Sequence, residues 1–184
     1  MKKIVLVVSC LLVITSCKNI SSDVSEAVEE KLNNEKNQEI FDSHIGAWKN
    51  NFVKGFEQEN LDLMMNLFAD SLKWNNPEAL TSQMKTKEQL AQALQGYIDD
   101  FDEITFSNDV YFGGSYYSST KPSSSPYAVR IFGEWNSIHT ESEAKIAHKW
   151  MSVIWFNKDG KIHQFADYFD VSGLKLQIQG NYSR

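Results

Sequence analysis

Beyond residue 17 the chain has no cysteine, because its two, Cys10 and Cys17, both lie in the opening segment. No disulfide can staple the fold and no thiolate is on hand for metal binding or nucleophilic attack, so stability has to come from a packed core. Histidine is scarce as well. His44, His139, His148 and His163 are scattered, show no HExxH-like spacing and have no thiolate companions, which argues against a zinc site. A glycine-rich phosphate loop is missing, and "FGGSYY" leads into loop and strand-like sequence rather than a helix, so there is no nucleophile elbow. Nothing indicates a redox centre or any other cofactor. Positive charge is short too, with 18 Lys and Arg against 24 Asp and Glu and no basic stripe. That balance speaks against nucleic acid as a partner and against electrostatic attachment to anionic lipid.

The apolar run in "MKKIVLVVSCLLVITSC" is too short for a good transmembrane span. Two lysines, an apolar stretch and then a cysteine are the layout of a secretory signal. The end of the stretch, Ile14-Thr15-Ser16-Cys17, resembles the lipobox of bacterial lipoproteins, which implies that Cys17 becomes the lipidated N-terminus. Cleavage at Cys10 would leave only about half of the usual 7–15-residue apolar region. The expectation is a signal over 1–17, a lipid anchor as the sole membrane contact, and a place in the bacterial cell envelope, facing the periplasm or the surface. A soluble secreted or uncleaved form is the alternative. Without Lys2 and Lys3 the side chains count 16 basic against 24 acidic.

Residues 18–38 are polar, charged and almost free of aromatics, and read as a flexible tether. The remainder, 39–184, is long enough for one domain and short for two. Phe41, Ile45, Trp48, Phe52 and Phe56 recur at helical spacing and predict a first helix. Asn60 reads as the N-cap of a short second helix, and Thr86 with Gln89 as a capping box opening a third that runs to about Phe101. "DSLKWNNPEAL" predicts one brief strand and a turn between the last two helices. After residue 103 the helical period disappears, and four aromatic, β-branched segments predict strands of an antiparallel sheet. The Ser-rich "GSYYSSTKPSSSPY" joins the first two, either as a loop over a pocket or as an uninvolved hairpin tip. The implied class is α+β, with three N-terminal helices packed on a strongly curved antiparallel sheet around an internal pocket.

Asp159-Gly160 predicts a two-residue hairpin. Pairing Lys158 with Lys161 then sets Phe156 opposite His163, Ile154 opposite Phe165, Ser152 opposite Asp167 and Trp150 opposite Phe169, all on one face. Asp170 falls on the other face against Lys149, an ordinary cross-strand pair. Asp167 is left among aromatics, where burial raises a carboxyl pKa toward neutrality and equips it for acid/base work. Three readings stay open for it: a register-holding group bonded to Ser152 and to Tyr or Trp donors, a ligand-recognition group, or an acid/base catalyst. His148 shares its face, either as a catalytic partner or as a satisfied rim residue. Of the five tryptophans, Trp48 reads as core, whereas Trp74, Trp135 and Trp150 sit on faces that could line a cavity. Trp155 shares an apolar outer face with Met151 and Val153, which suggests a partner sheet.

The order of elements, with "VKGFEQENLDLMMNLFADSLKWNNP" early and "WFNKDGKIHQFADYFDVSGL" late, resembles the nuclear transport factor 2-like superfamily over residues 40–178, and its SnoaL-like branch in particular. The resemblance implies a cone with a pocket, used for catalysis in some members and for binding in many others. Carried over residue by residue, the ketosteroid isomerase pattern fails. Its base position is Asn76, before Pro77, and its two oxyanion donors fall at Phe52 and Ser152, of which only the serine can donate. The dehydratase pattern, which needs a paired histidine and aspartate, finds no clear match. The SnoaL-type cyclase pattern places its acid/base aspartate on the terminal strand, at Asp167.

The reading is therefore a lipid-anchored domain that binds a small hydrophobic or aromatic ligand. The expected lining is Phe52, Trp74, Asn76, Trp135, Trp150, Ser152, Phe165 and Phe169, with Asp167 and His148 as the catalytic candidates. A cofactor-independent dehydratase, isomerase or cyclase using Asp167 is the first alternative. An adaptor docking through the outer sheet face, which would also serve a homodimer, is the second.

Overall fold

The computed structural model describes residues 28–78, 83–114 and 125–180. Cys17, the expected signal and most of the Ser-rich connection lie outside the described residues. The chain divides into two units, Met1–Glu39 and Ile40–Arg184. In the first, residues 28–39 are helical and nearly all exposed. Glu, Lys and Gln are adequate helix formers, and Lys31 with Glu35 adds an i,i+4 ion pair at 3.8 Å. No helix among the described residues is long and apolar enough to cross a membrane.

The second unit opens with helix over residues 40–47, a π-helical turn Trp48–Val53 and helix α1 (Lys54–Glu57). Trp48, Phe52 and Phe56 are spaced four residues apart, and all three are buried toward one core. Helix α2 (Leu61–Met65) follows, and Asn60 caps it by accepting from the Leu63 amide. Strand β1 (Phe68–Asn75) leads to helix α3 (Lys87–Asp100), which opens on the Thr86/Gln89 capping box.

Strands β2 (Phe101–Gly113), β3 (Ala128–His139), β4 (Lys145–Phe156) and β5 (Ile162–Phe169) form antiparallel neighbours, and the sheet order is β1-β5-β4-β3-β2. The sheet is mixed, not wholly antiparallel as expected, because β1 pairs with β5 in parallel, Trp74 opposite Phe165 and Asn75 opposite Ala166. Trp74 makes one antiparallel bridge to Lys85 just ahead of the helix that follows β1, and the strand closes the free edge of β5. The curvature comes from β2. Its register with β3 slips between Asp102 and Thr105 and again between Ser107 and Val110, with Glu103 and Asn108 at positive φ. Each extra residue bends the strand and tightens its twist. Gly133 on β3 admits the Phe106 ring, since a Cβ there would stand 2.2 Å from it.

The β4–β5 faces agree with the expectation although the turn does not. Asn157 accepts from the amides of Asp159 and Lys161, and Gly160 sits at φ 71°, which makes a three-residue loop and sets Phe156 opposite Ile162 rather than His163. His163 is then an extra residue in β5, and this bulge restores Trp155 to Gln164, Ile154 to Phe165 and Ser152 to Asp167. Two one-residue offsets cancel. Asp170 is a further correction: it lies beyond β5 and caps helix α4 (Val171–Ile178), accepting from the Gly173 amide at 2.8 Å, so it is not the cross-strand partner of Lys149. On that register Lys149 stands opposite Glu134. In the sequence Asp170 fits a strand position after Phe169, but Asp before Val171, Leu174 and Ile178 is also a helix start, and the structure takes the second option.

Candidate functional site

Helix α3 lies over the inner face of the sheet and α4 closes over one end, leaving a partly open cavity. Its volume, with the mouth included, is ≈ 660 Å³. The inner faces of β3, β4 and β5 supply Trp135 and Ser137, then His148 and Trp150, then Phe165, Asp167 and Phe169. The alternation of side chains along each strand puts these residues on one side and sends Met151, Val153 and Tyr168 to the other. Trp74 enters from β1, and Phe52 and Phe56 from the first helical stretch. Leu90, Ala93, Leu94 and Tyr97 come from α3, Phe101 and Ile104 from β2, and Leu174 from α4.

Of the residues expected at the site, Phe52, Trp74, Trp135, Trp150, Phe165, Phe169, His148 and Asp167 stand at this cavity. Asn76 and Ser152 do not. Ser152 is fully buried and donates to the Ala166 carbonyl at 2.9 Å, across the strand pair and away from Asp167. Asn76 is buried just beyond β1, and its Oδ1 has no partner among the described residues. Inward parity predicts burial but not cavity contact. The α3 residues were missed, although Leu90, Ala93, Leu94 and Tyr97 already formed one apolar stripe in the sequence.

Asp167 is 8% exposed. Trp74 Nε1 donates to its Oδ1 at 2.8 Å, and Trp150 is a second side-chain donor to it. Burial dominates those stabilising bonds and pushes its pKa up to about 6. His148 moves the other way: burial lowers it to about 4, and its Nδ1 finds no partner among the described residues. Burial also raises the Tyr97 phenol, with the Asp167 and Glu78 charges acting in the same direction. Near neutral pH the cavity therefore presents a carboxylate, a neutral imidazole and two hydroxyls within aromatic walls.

Asp167 and His148 do not form a direct pair. Asp167 is opposite Ser152, four residues from His148 along β4, and at roughly 3.3 Å per residue their backbones are about 13 Å apart. Trp150 and Phe169 lie between, with the Phe169 ring 5.0 Å from that of His148. A molecule touching both would have to span the pocket. Among the described residues no group of three or more His, Cys, Asp or Glu stands together as a metal site.

No family model matches the chain, and no curated protein does. Solved structures match in fold. A candidate polyketide cyclase from Xanthomonas campestris pv. campestris superposes with a TM-score of 0.59 at 12% identity, over 77% of this chain and 98% of that one. A nuclear transport factor 2-like protein of unknown function from Burkholderia pseudomallei gives 0.57 at 13%, over 73% and 96%. A protein of ketosteroid isomerase-like fold from Catenulispora acidiphila, in complex with trimethylamine, gives 0.53 at 13%, over 77% and 97%. At such identities the likeness is one of fold: helices packed on a curved, mixed five-stranded sheet, the nuclear transport factor 2-like cone.

Proposed function

We propose that the second unit binds a small, partly apolar molecule in this cavity, in the manner of a SnoaL-like pocket domain. The observation that carries the reading is a partly open, aromatic-walled cavity with, among the described residues, a single buried carboxylate at its side, the arrangement expected of a site with apolar grip and one orienting polar group. Similar folds include a candidate polyketide cyclase and a protein holding trimethylamine, which is consistent with small-molecule use. In a thermal-shift screen of small aromatics, hydrophobic acids, steroids and amines, a ligand at about a hundred times its Kd raises the Tm by roughly 5–10 °C. Ala93→Phe, which fills the cavity from α3, removes that shift while the unliganded Tm stays close to the parent value. A shift that survives the filled cavity places binding elsewhere.

The second reading is catalysis without a cofactor, as a dehydratase, isomerase or cyclase. The observation in its favour is that Asp167 titrates at about 6, where it can both take and return a proton. In that reading Asp167→Asn lowers turnover of any identified substrate by about 100-fold or more, and full activity in that variant eliminates it. The remaining parts of the proposal concern placement. Cys17 carries a lipid that holds the chain on a membrane of the bacterial envelope, and the outer sheet face, where Val110, Phe112 and Tyr168 are exposed, serves a second copy. Cys17→Ser shifting the protein from the membrane to the soluble fraction checks the anchor; unchanged fractionation refutes it.

A further inference from the structure

We propose that the pocket selects a compact organic cation, an alkylated ammonium, over neutral or acidic molecules of the same shape; the inference rests on the reading of this cavity as a ligand pocket. Three features of the cavity lead there. The first is its charge: among the described residues Asp167 is the sole acid in the lining, and neither lysine nor arginine lines the cavity. The carboxylate makes no ion pair among the described residues and is held instead by the neutral indoles of Trp74 and Trp150. The cation nearest in effect, Lys85, stands over the Trp74 ring at 5.2 Å, does not line the cavity, and is the weakest of the influences acting on Asp167.

The second feature is the wall. Phe52, Trp74, Tyr97, Trp135, Trp150 and Phe169 surround the space, and aromatic faces carry the negative end of a quadrupole. Trp135 and Trp150 meet edge to face at 79°, with centroids 6.1 Å apart, so the rings present faces in different directions, as a cage for a rounded cation requires. The third is the neutrality of the other two titratable side chains that line the cavity, His148 and Tyr97. His148 titrates at about 4, far below neutral pH, and the Tyr97 phenol stays protonated. Glu78, whose charge reaches Tyr97, adds negative potential. An acid entering this space meets a like charge and negative ring faces. A neutral molecule leaves a buried carboxylate uncompensated, and an ammonium compensates both.

Titration calorimetry of the full chain with choline, its neutral carbon isostere 3,3-dimethylbutan-1-ol and the acid 3,3-dimethylbutanoate separates these cases. At pH 8 choline binds at least about tenfold tighter than the alcohol, and the acid is weakest. At pH 5, below the Asp167 value of about 6, most of that advantage is lost, because choline itself does not titrate and His148 changes charge only nearer pH 4. Asp167→Asn removes the advantage at both pH values; the pH arm on the unaltered chain decides the matter if that variant does not fold. Choline and alcohol binding equally at pH 8, or a choline preference that is the same at pH 5 and in the variant, overturns the cation selectivity. None of the three binding, while the thermal-shift screen finds another ligand, also overturns it and leaves the pocket reading intact. None binding and an empty screen overturn both.

Discussion

Trp48→Ala lowers the free energy of unfolding by about 4 kcal/mol, whereas Trp48→Phe lowers it by less than about 1.5 kcal/mol. Trp48 is 1% exposed and joins the first helical stretch to the sheet. Its ring stacks on Phe52 at 4.1 Å and on Trp150 at 5.7 Å and tilts against Phe165 at 6.3 Å. Alanine removes that whole surface and leaves a hole that the neighbouring helical stretch and strands β4 and β5 cannot close. Phenylalanine keeps a ring in the stack. It also removes Nε1–H, a buried donor with no partner among the described residues, so part of the lost packing is offset by a lost desolvation penalty. Urea unfolding followed by far-UV circular dichroism reads both values. Equal losses in the two variants would mean that the aromatic stack contributes little and that this account of the packing is wrong.

Asp167→Asn and His148→Gln give the protein pH dependences of opposite sign. The folded-state pKa of Asp167, about 6, is above its ordinary 3.8. Its contribution is therefore fully present below pH 3.8 and lost as pH rises through 6, by about 3 kcal/mol. His148 lies at about 4 in the folded state against an ordinary 6.5. Its contribution is present above pH 6.5 and lost as pH falls through 4, again by about 3 kcal/mol. In the parent protein the two nearly cancel between pH 7 and pH 4. Asp167→Asn leaves the histidine uncompensated, so stability relative to the parent falls by about 3 kcal/mol on acidification across that window. His148→Gln leaves the aspartate, and relative stability rises by a similar amount. Carboxylates held low by surface partners, such as Asp70 beside Lys87 and Asp109 beside Lys49, titrate alike in all three proteins and drop out of the comparison. Urea midpoints from pH 7 to pH 4 measure the slopes, and three parallel curves would refute the assignment.

The cancellation of these two groups was not legible from composition, but their location on the inner face was. Strand alternation separates Asp167 from Asp170 in the sequence, although the two-residue turn it assumes is not the one formed. The three-residue loop at Asn157 shifted the register by one and the extra residue at His163 shifted it back. Asp170 shows the reverse case. Its side of the sheet was irrelevant because it had already left the strand to cap α4.

What the sequence determined by itself is what rests on neighbours a few residues apart. The apolar stripe from Phe41 to Phe56, the Asn60 cap, the Thr86/Gln89 box and the inward set Trp150, Phe165, Asp167 and Phe169 depend on helical and strand periods and on short-range hydrogen bonds. Only the tertiary structure decided that β1 lies parallel to β5, that bulges at Glu103 and Asn108 bend the sheet, and that α3 and α4 complete the cavity. The same level of structure excluded Ser152 and Asn76 from the cavity and brought Trp74 Nε1 to Asp167 across 93 residues. Such a pairing is selected by the packing of the whole unit, since many distant partners satisfy the same local pattern and only burial in one common core distinguishes among them.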